Sequence, residues 1–206
     1  MGNFEYTPEW YATDSVALWL PEMNSAEELL YHYTDPTIEP FIRNGIRFDN
    51  EFQHFDHLSG RLLELGFNSG LTVYRLAKRY PKLIVDGIDF NPALEKVMSF
   101  IEGFLPNIGD IWLGDTQNIK KTDEHYDFIT SIDYFEHLPR LVYYKTLREC
   151  KRVLKPGGII WVYFGKPPNE EHINRRDDAY VIDDFERLGF RLVSRREILA
   201  FKNEGD

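Results

Sequence analysis

The sequence predicts a doubly wound α/β fold: a six- or seven-stranded, largely parallel sheet with helices on both faces, preceded by an N-terminal helical cap. Three observations predict it. From residue 61 onward, apolar runs of strand length alternate with helical patterns. The first run ends in Glu64-Leu65-Gly66, passes through the small-residue turn Phe67-Asn68-Ser69-Gly70, and enters a helical pattern at Leu71. The runs are apolar along their length, as strands covered on both faces require.

Residues 1–58 form the expected cap and 59–206 the core of one domain spanning 1–206. The first 20 residues are rich in aromatics (Phe4, Tyr6, Trp10, Tyr11, Trp19). Ser25-Ala26-Glu27-Glu28 has the form of a capped helix start, with Ser25 as N-cap and an acidic residue three positions on. That helix runs through Tyr33 and stops before Pro36; residues 37–58 are helical or mixed. Strands are expected at 61–66, 83–88, 108–113, 126–132, 158–164 and 190–198. Helices are expected at 70–80, 91–104, 138–153 and 178–188. Lys155-Pro156-Gly157-Gly158 stops a helix and turns the chain into the next strand. Little sequence follows Phe201, so the strand that would close the sheet is expected to be short or absent.

Composition narrows the function. The chain has 206 residues, enough for one substantial core, with 24 basic against 34 acidic residues, a net charge of −10. Nucleic-acid binding needs clustered cations on phosphates, so this balance counts against a nucleic-acid partner. Arg175-Arg176 and Arg195-Arg196 are short enough to be loop and strand ends, though either can meet an anionic substrate. No apolar run approaches the roughly 20 residues that span a bilayer. The first residues lack the basic and apolar regions of a signal peptide. The single cysteine, Cys150, falls in a helical pattern as a packing residue and cannot form an internal disulfide. Together these predict a cytoplasmic protein.

The strand–turn–helix at 61–77 is how an open parallel sheet builds a pocket for a nucleotide-like ligand. Gly66 and Gly70 allow a sharp turn, and Asn68 tolerates the left-handed conformation. Glu64 beside the turn repels phosphates but suits a cationic amine. That favours S-adenosylmethionine, which carries an ammonium and a sulfonium, over NAD or ATP. Asp89 lies about 20 residues beyond Gly66, where a second-strand carboxylate reaches ribose hydroxyls; it can also serve as a helix N-cap before Asn91-Pro92. Asp115 is equally placed to be a turn residue.

Five blocks in order resemble the class I S-adenosylmethionine-dependent methyltransferases over residues 60–200. They are Glu64-Leu65-Gly66-Phe67-Asn68-Ser69-Gly70, Gly87-Ile88-Asp89-Phe90-Asn91-Pro92, Gly114-Asp115-Thr116, Tyr126-Asp127-Phe128-Ile129 with Glu136-His137-Leu138-Pro139, and Leu154-Lys155-Pro156-Gly157-Gly158. The resemblance implies a Rossmann-like core. It implies a cofactor site formed by Glu64, Gly66, Phe67, Asn68, Gly70, Asp89, Phe90, Asp115, Thr116 and Ser131, with Asp89 on ribose and Asp115 at the adenine amine. Asn68 departs from the family by replacing a middle glycine.

Asp133, Glu136 and His137 have the i, i+3, i+4 spacing of one helical face. With His172 from the loop after the fifth strand they form a candidate ligand set for Mg²⁺, Mn²⁺ or Zn²⁺. The set is similar to that of metal-dependent family members, although metal-free members also carry Glu-His-Leu here. Without metal, His137 or His172 is the candidate general base. Trp10, Tyr11, Trp19, Tyr31 and Tyr33 are either a lid over the acceptor or core packing. The acceptor implied is a small molecule, methylated on oxygen rather than nitrogen. The alternatives are an NAD-linked oxidoreductase, a methyltransferase-like scaffold without catalysis, or an RNA acceptor. Gly66-x-x-x-Gly70 lacks the Gly-x-Gly-x-x-Gly spacing that cradles a pyrophosphate.

Overall fold

A computed structural model of the chain describes residues 25–34, 52, 55, 57–164, 173–174, 176–196 and 198–205. Ser25 starts the first helix as its sequence predicts: its Oγ accepts a bond from the Glu28 N–H at 3.2 Å, and α1 runs Ala26–Thr34. The alternating part begins with β1 (Gly60–Leu65), α2 (Leu71–Arg79) and β2 (Leu83–Asp89). A 3-10 turn (Pro92–Leu94) then leads into α3 (Glu95–Ile101), followed by β3 (Ile108–Leu113) and β4 (Tyr126–Ile132). A second 3-10 turn (Phe135–His137) precedes α4 (Arg140–Val153), β5 (Leu154–Tyr163), α5 (Asp178–Arg187), β6 (Phe190–Arg195) and β7 (Leu199–Asn203).

The sheet has seven strands in the order β3-β2-β1-β4-β5-β7-β6. The first five are parallel; β7 is antiparallel to both β5 and β6. The chain therefore moves outward from β1 through β2 to β3, then crosses back to β4 on the other side of β1. This reversal leaves a crevice at the carboxyl ends of β1 and β4, where open α/β sheets bind their ligands.

Side chains alternate between two cores. Leu62 faces one, with Leu29 and Tyr33 of α1, Leu71 and Leu76 of α2, and Val97 and Ile101 of α3. Leu63 and Leu65 face the other, with Tyr143, Leu147 and Cys150 of α4 and Val181 and Phe185 of α5. Phe52 and Leu58, from the expected cap, belong to the first core. Trp161 of β5 anchors them: its ring lies 5.0 Å from Phe52, 5.2 Å from Phe55 and 5.4 Å from Phe128. Cys150 is buried, the packing residue its helical position predicts.

Three boundaries differ from expectation. Lys155-Pro156-Gly157-Gly158 does not precede the fifth strand but lies within it. Leu154 already pairs with Tyr126, and the next pairing is Ile159 with Phe128, so the Pro-Gly stretch loops out as a bulge between them. The helix expected over 91–104 is split into the 3-10 turn and the shorter α3. The run expected as one strand over 190–198 is a hairpin: the chain turns after Arg195, and β7 inserts between β5 and β6. Five residues suffice for β7 because it has a strand on each side, and Phe201 stacks on Phe185 at 4.1 Å. The helical or mixed segment expected at 37–58 lies outside the described residues except at 52, 55, 57 and 58. Among the described residues, no helix is long and apolar enough to cross a membrane.

One polar network sits inside the second core. The fully buried Asp86 accepts bonds from Arg61 Nε (2.7 Å) and Nη2 (2.9 Å), Tyr126 Oη (2.9 Å) and the Asp110 N–H (2.9 Å). A buried carboxylate with four donors is satisfied, whereas removing it strands a cation and a hydroxyl. Asp86→Ala should destabilise the protein by about 3 kcal/mol, seen as a lowered urea midpoint with an unchanged slope; an unchanged midpoint would show that Arg61 finds water instead.

Candidate active site

The turn after β1 is built on three left-handed residues: Gly66 (φ 72°), Asn68 (φ 45°) and Gly70 (φ 79°). Asn68 adopts the conformation expected of it. The Gly66 N–H bonds the Ile88 carbonyl at 2.8 Å, tying the turn to the end of β2. A Cβ at Gly66 would run into the ring of Tyr134, and one at Gly70 into Ile101 and the Tyr33 hydroxyl. Both glycines are thus required by close packing as well as by φ. Tyr33 donates to the Ser69 carbonyl and packs against Tyr74 at 5.2 Å. It is a core residue that holds the turn from the α1 side. Tyr31, at 62% exposure, points away from the core; Trp10, Tyr11 and Trp19 lie outside the described residues.

Two buried acids flank the turn. Asp89, at the end of β2, accepts the Asn68 N–H on Oδ2 (3.0 Å) and the Asn91 N–H on Oδ1 (3.1 Å). It joins the two loops and starts the turn at Asn91, so the N-cap-like role is real and coexists with a position in the crevice. Burial raises its pKa, opposed by the N–H groups of Asn68, Asn91 and Phe90. Glu64, on β1, takes a bond from the Thr130 hydroxyl across the β1–β4 pair. Burial pushes its pKa up to about 8, the single hydroxyl opposing only in part.

The other expected cofactor residues divide. Phe67 is buried and packs over Gly87, whose missing Cβ would come within 3.2 Å of it. Phe90 is half-buried against the α4 side. Asp115 is exposed and holds the Gln117 N–H at 2.8 Å, a turn-capping bond. Thr116 is buried, bonded to Tyr134 Oη and Thr146 Oγ1, each at 2.9 Å. Ser131 is fully buried beside Leu65 at the end of β4, and its Oγ has no hydrogen-bond partner.

The helical face expected for Asp133, Glu136 and His137 does not form. Asp133 is left-handed (φ 49°), with its N–H on the Tyr163 carbonyl at 3.1 Å. Residues Phe135–His137 make one 3-10 turn and Leu138 is extended. The cause is Pro139, which excludes the helical conformation from the residue before it, so α4 starts only at Arg140. Glu136 is turned into the core and His137 is half-buried. Among the described residues, no group of three His, Cys, Asp or Glu side chains can hold a metal ion. His172 lies outside them.

Sequence reasoning missed Tyr134, Asn174 and Arg176. Tyr134 fills the space Gly66 leaves, and its hydroxyl reaches Thr116. Arg176, expected as a loop cation, is locked inside the protein: it pairs with Asp184 and stacks over Tyr143 (4.9 Å) and Tyr144 (5.3 Å). Its ring partners stand more than 30 positions away, and the acids next to it in sequence, Asp177 and Asp178, are not the one it pairs with, so its neighbours in sequence give no sign of these contacts.

Residues 62–158 match the family described as a methyltransferase domain. The chain has the fold of the class I methyltransferases. Over 99 residues it is 31% identical to malonyl-[acyl-carrier protein] O-methyltransferase 1 of Coxiella burnetii, covering 48% of this chain and 31% of that one. Over 109 residues it is 29% identical to demethylmenaquinone methyltransferase of Thermotoga maritima, covering 53% and 45%. The chain thus spans less than half the length of either curated relative. Its fold is similar to that of a Methanococcus maripaludis protein described as an S-adenosylmethionine-dependent methyltransferase. That likeness has a TM-score of 0.65 at 16% identity and covers 91% of this chain and 98% of that one.

Both flanking acids have folded-state pKa values above their ordinary ones. Their contribution to stability is therefore full below the ordinary carboxylate range and is lost as pH rises, for Glu64 through about 8. The ligand-free protein should lose stability between about pH 4.5 and 8, and Glu64→Gln should flatten that decline. Urea midpoints across the range measure it; an identical decline in the variant would remove Glu64 as the cause.

Proposed function

We propose that this methyltransferase moves the methyl group of S-adenosylmethionine to a small-molecule acceptor, on oxygen in preference to nitrogen. The observation that carries the reading is the pair of buried acids, Glu64 and Asp89, on either side of the Gly66–Gly70 turn at the carboxyl ends of β1 and β2. This pair of acceptors fits a cationic, ribose-bearing ligand. The turn's Gly66-x-x-x-Gly70 spacing lacks the Gly-x-Gly-x-x-Gly pattern whose backbone N–H groups meet a pyrophosphate, which disfavours NAD. When bound, the sulfonium supplies an already activated methyl carbon, so the protein's work is alignment and exclusion of water.

In this reading Asp89 accepts from the ribose hydroxyls while keeping its backbone bonds, since each carboxylate oxygen has more than one acceptor site. Glu64 ionises to hold the ammonium. Gly66, Phe67, Asn68, Gly70 and Phe90 shape the pocket, and Asp115 and Thr116 face the adenine end. Ser131 belongs to the cofactor side, and the turn carrying Asp133, Glu136 and His137 forms the acceptor side. His137, or His172, takes the acceptor's proton. The turn's geometry favours transfer without a metal, and the four-residue ligand set becomes the second reading only if chelation abolishes activity. Residues 1–58 act as a cap on a single domain spanning 1–206. An acidic chain with one buried thiol fits a cytoplasmic setting, and its charge disfavours nucleic acid as acceptor. The O-methyltransferase among its relatives supports oxygen as the acceptor atom.

Calorimetric titration with S-adenosylmethionine and S-adenosylhomocysteine, with and without EDTA, tests the reading. Micromolar binding is expected in both conditions; no binding to either, with binding of NADH, would overturn it. Asp89→Ala should weaken binding by about tenfold or more, and an unchanged affinity would take Asp89 out of the site. Affinity should also rise towards pH 8 as Glu64 ionises, a trend that Glu64→Gln should abolish. With labelled S-adenosylmethionine and a panel of small carboxylic acids and phenols, His137→Ala should lower kcat by about a hundredfold if His137 is the base. Full activity in the variant would pass that role to His172.

A further inference from the structure

We infer that, given the methyl-transfer reading above, Asn174 is the positioning residue of the acceptor half of the site and Arg176 orients it. The 3-10 turn after β4 is too short to hold itself. It has two bonds of its own, His137 N–H to the Tyr134 carbonyl (3.1 Å) and Leu138 N–H to the Phe135 carbonyl (3.2 Å). Asn174 completes it from outside. Its N–H donates to the Glu136 carbonyl at 2.9 Å, and its Nδ2 donates to the Phe135 carbonyl at 3.3 Å. Its Oδ1 accepts from Arg176 Nε at 3.1 Å. Asn174 is buried, so each bond replaces one to water that it no longer makes. Donating to a carbonyl and accepting from a guanidinium at once requires a carboxamide; Asp lacks the donor and Leu lacks both.

Arg176 cannot swing away. Its guanidinium pairs with Asp184, donates to Tyr144 Oη at 3.1 Å and stacks over Tyr143 and Tyr144. Tyr143 in turn meets Phe135 edge-to-face at 5.3 Å. Phe164, just past β5, stacks on the same Phe135 at 6.0 Å. The chain therefore leaves β5 against Phe135 and is bonded to Phe135 and Glu136 again at Asn174. Two elements, α4 and α5, are recruited through Arg176 to fix a turn that carries His137. The backbone N–H, Nδ2 and Oδ1 of Asn174 go to that turn and to Arg176, so its effect belongs to the acceptor half and not to the Gly66–Gly70 turn.

The test uses the full chain, with S-adenosylhomocysteine as probe of the cofactor half. Amide exchange at residues 137 and 138 and the NMR titration of the His137 imidazole report on the acceptor half. Asn174→Ala should speed exchange there by about tenfold and move the His137 titration, with S-adenosylhomocysteine affinity held within about twofold. Arg176→Lys, which keeps the charge but loses the planar fork, should change the same signals in the same direction. Unchanged exchange and titration in the folded variants would overturn the inference, as would equal changes at residues 66–70. Should Asn174→Ala fail to fold, Asn174→Asp keeps the size and the Arg176 bond while setting an acceptor against the Phe135 carbonyl, and the same signature is expected. Failure of both to fold would also overturn it, making Asn174 a residue of stability alone. If the wild-type chain does not bind S-adenosylhomocysteine, the methyl-transfer reading falls while the exchange result still decides how the turn is held.

Discussion

The contact between Gly66 and the Tyr134 ring is the constraint on which the crevice depends. The strand order reverses between β1 and β4, so the loops leaving these neighbours diverge. Tyr134 bridges them: its ring occupies the space a side chain at residue 66 would take, and its hydroxyl bonds Thr116 after β3. Thr116 passes the connection to Thr146 on α4. One residue thus sets the spacing of three strand-end loops. The left-handed backbone at Gly66, Asn68 and Asp133 is the cost of bringing them together, and close packing holds it in place.

Three buried carboxyls on adjacent strands show how the same group serves opposite ends. Asp86 accepts four bonds, two of them from one guanidinium, and stiffens the sheet. Glu64 has a single hydroxyl, and Asp89 has backbone N–H groups but no cation. Burial therefore raises the pKa of both. Incomplete compensation in a well-packed core is the usual mark of a site rather than of scaffolding.

The domain match covers 62–158, the strands and loops around the cofactor side. Outside it lie α1, which grips the turn through Tyr33, and the Asn174–Arg176 pair, which grips the turn after β4. The shared part carries the likeness to relatives. The surrounding part is where an acceptor would be distinguished, since a common fold hosts many acceptors by changing the segments at one end of its sheet.

Much of this was legible in the chain itself. Period and apolarity located the strands, because a two-sided parallel sheet leaves little freedom in what its strands contain. Ser25, Gly66, Asn68 and Gly70 declared local backbone geometry, and local geometry is written in neighbouring residues. The spacing of Asp133, Glu136 and His137 misled because one local signal, Pro139, outweighed it. The β6–β7 hairpin was hidden inside one apolar run, since pairing to β5, not composition, decides where that run folds back. Tyr134 on Gly66, Asn174 on the Phe135 carbonyl and Arg176 between Tyr143, Tyr144 and Asp184 join residues up to about 70 positions apart. The sequence by itself determined the five parallel strands, the turn and the two acids beside it. Only the tertiary structure decided which loops touch, because such contacts arise from packing across the sheet and leave no trace in adjacent residues.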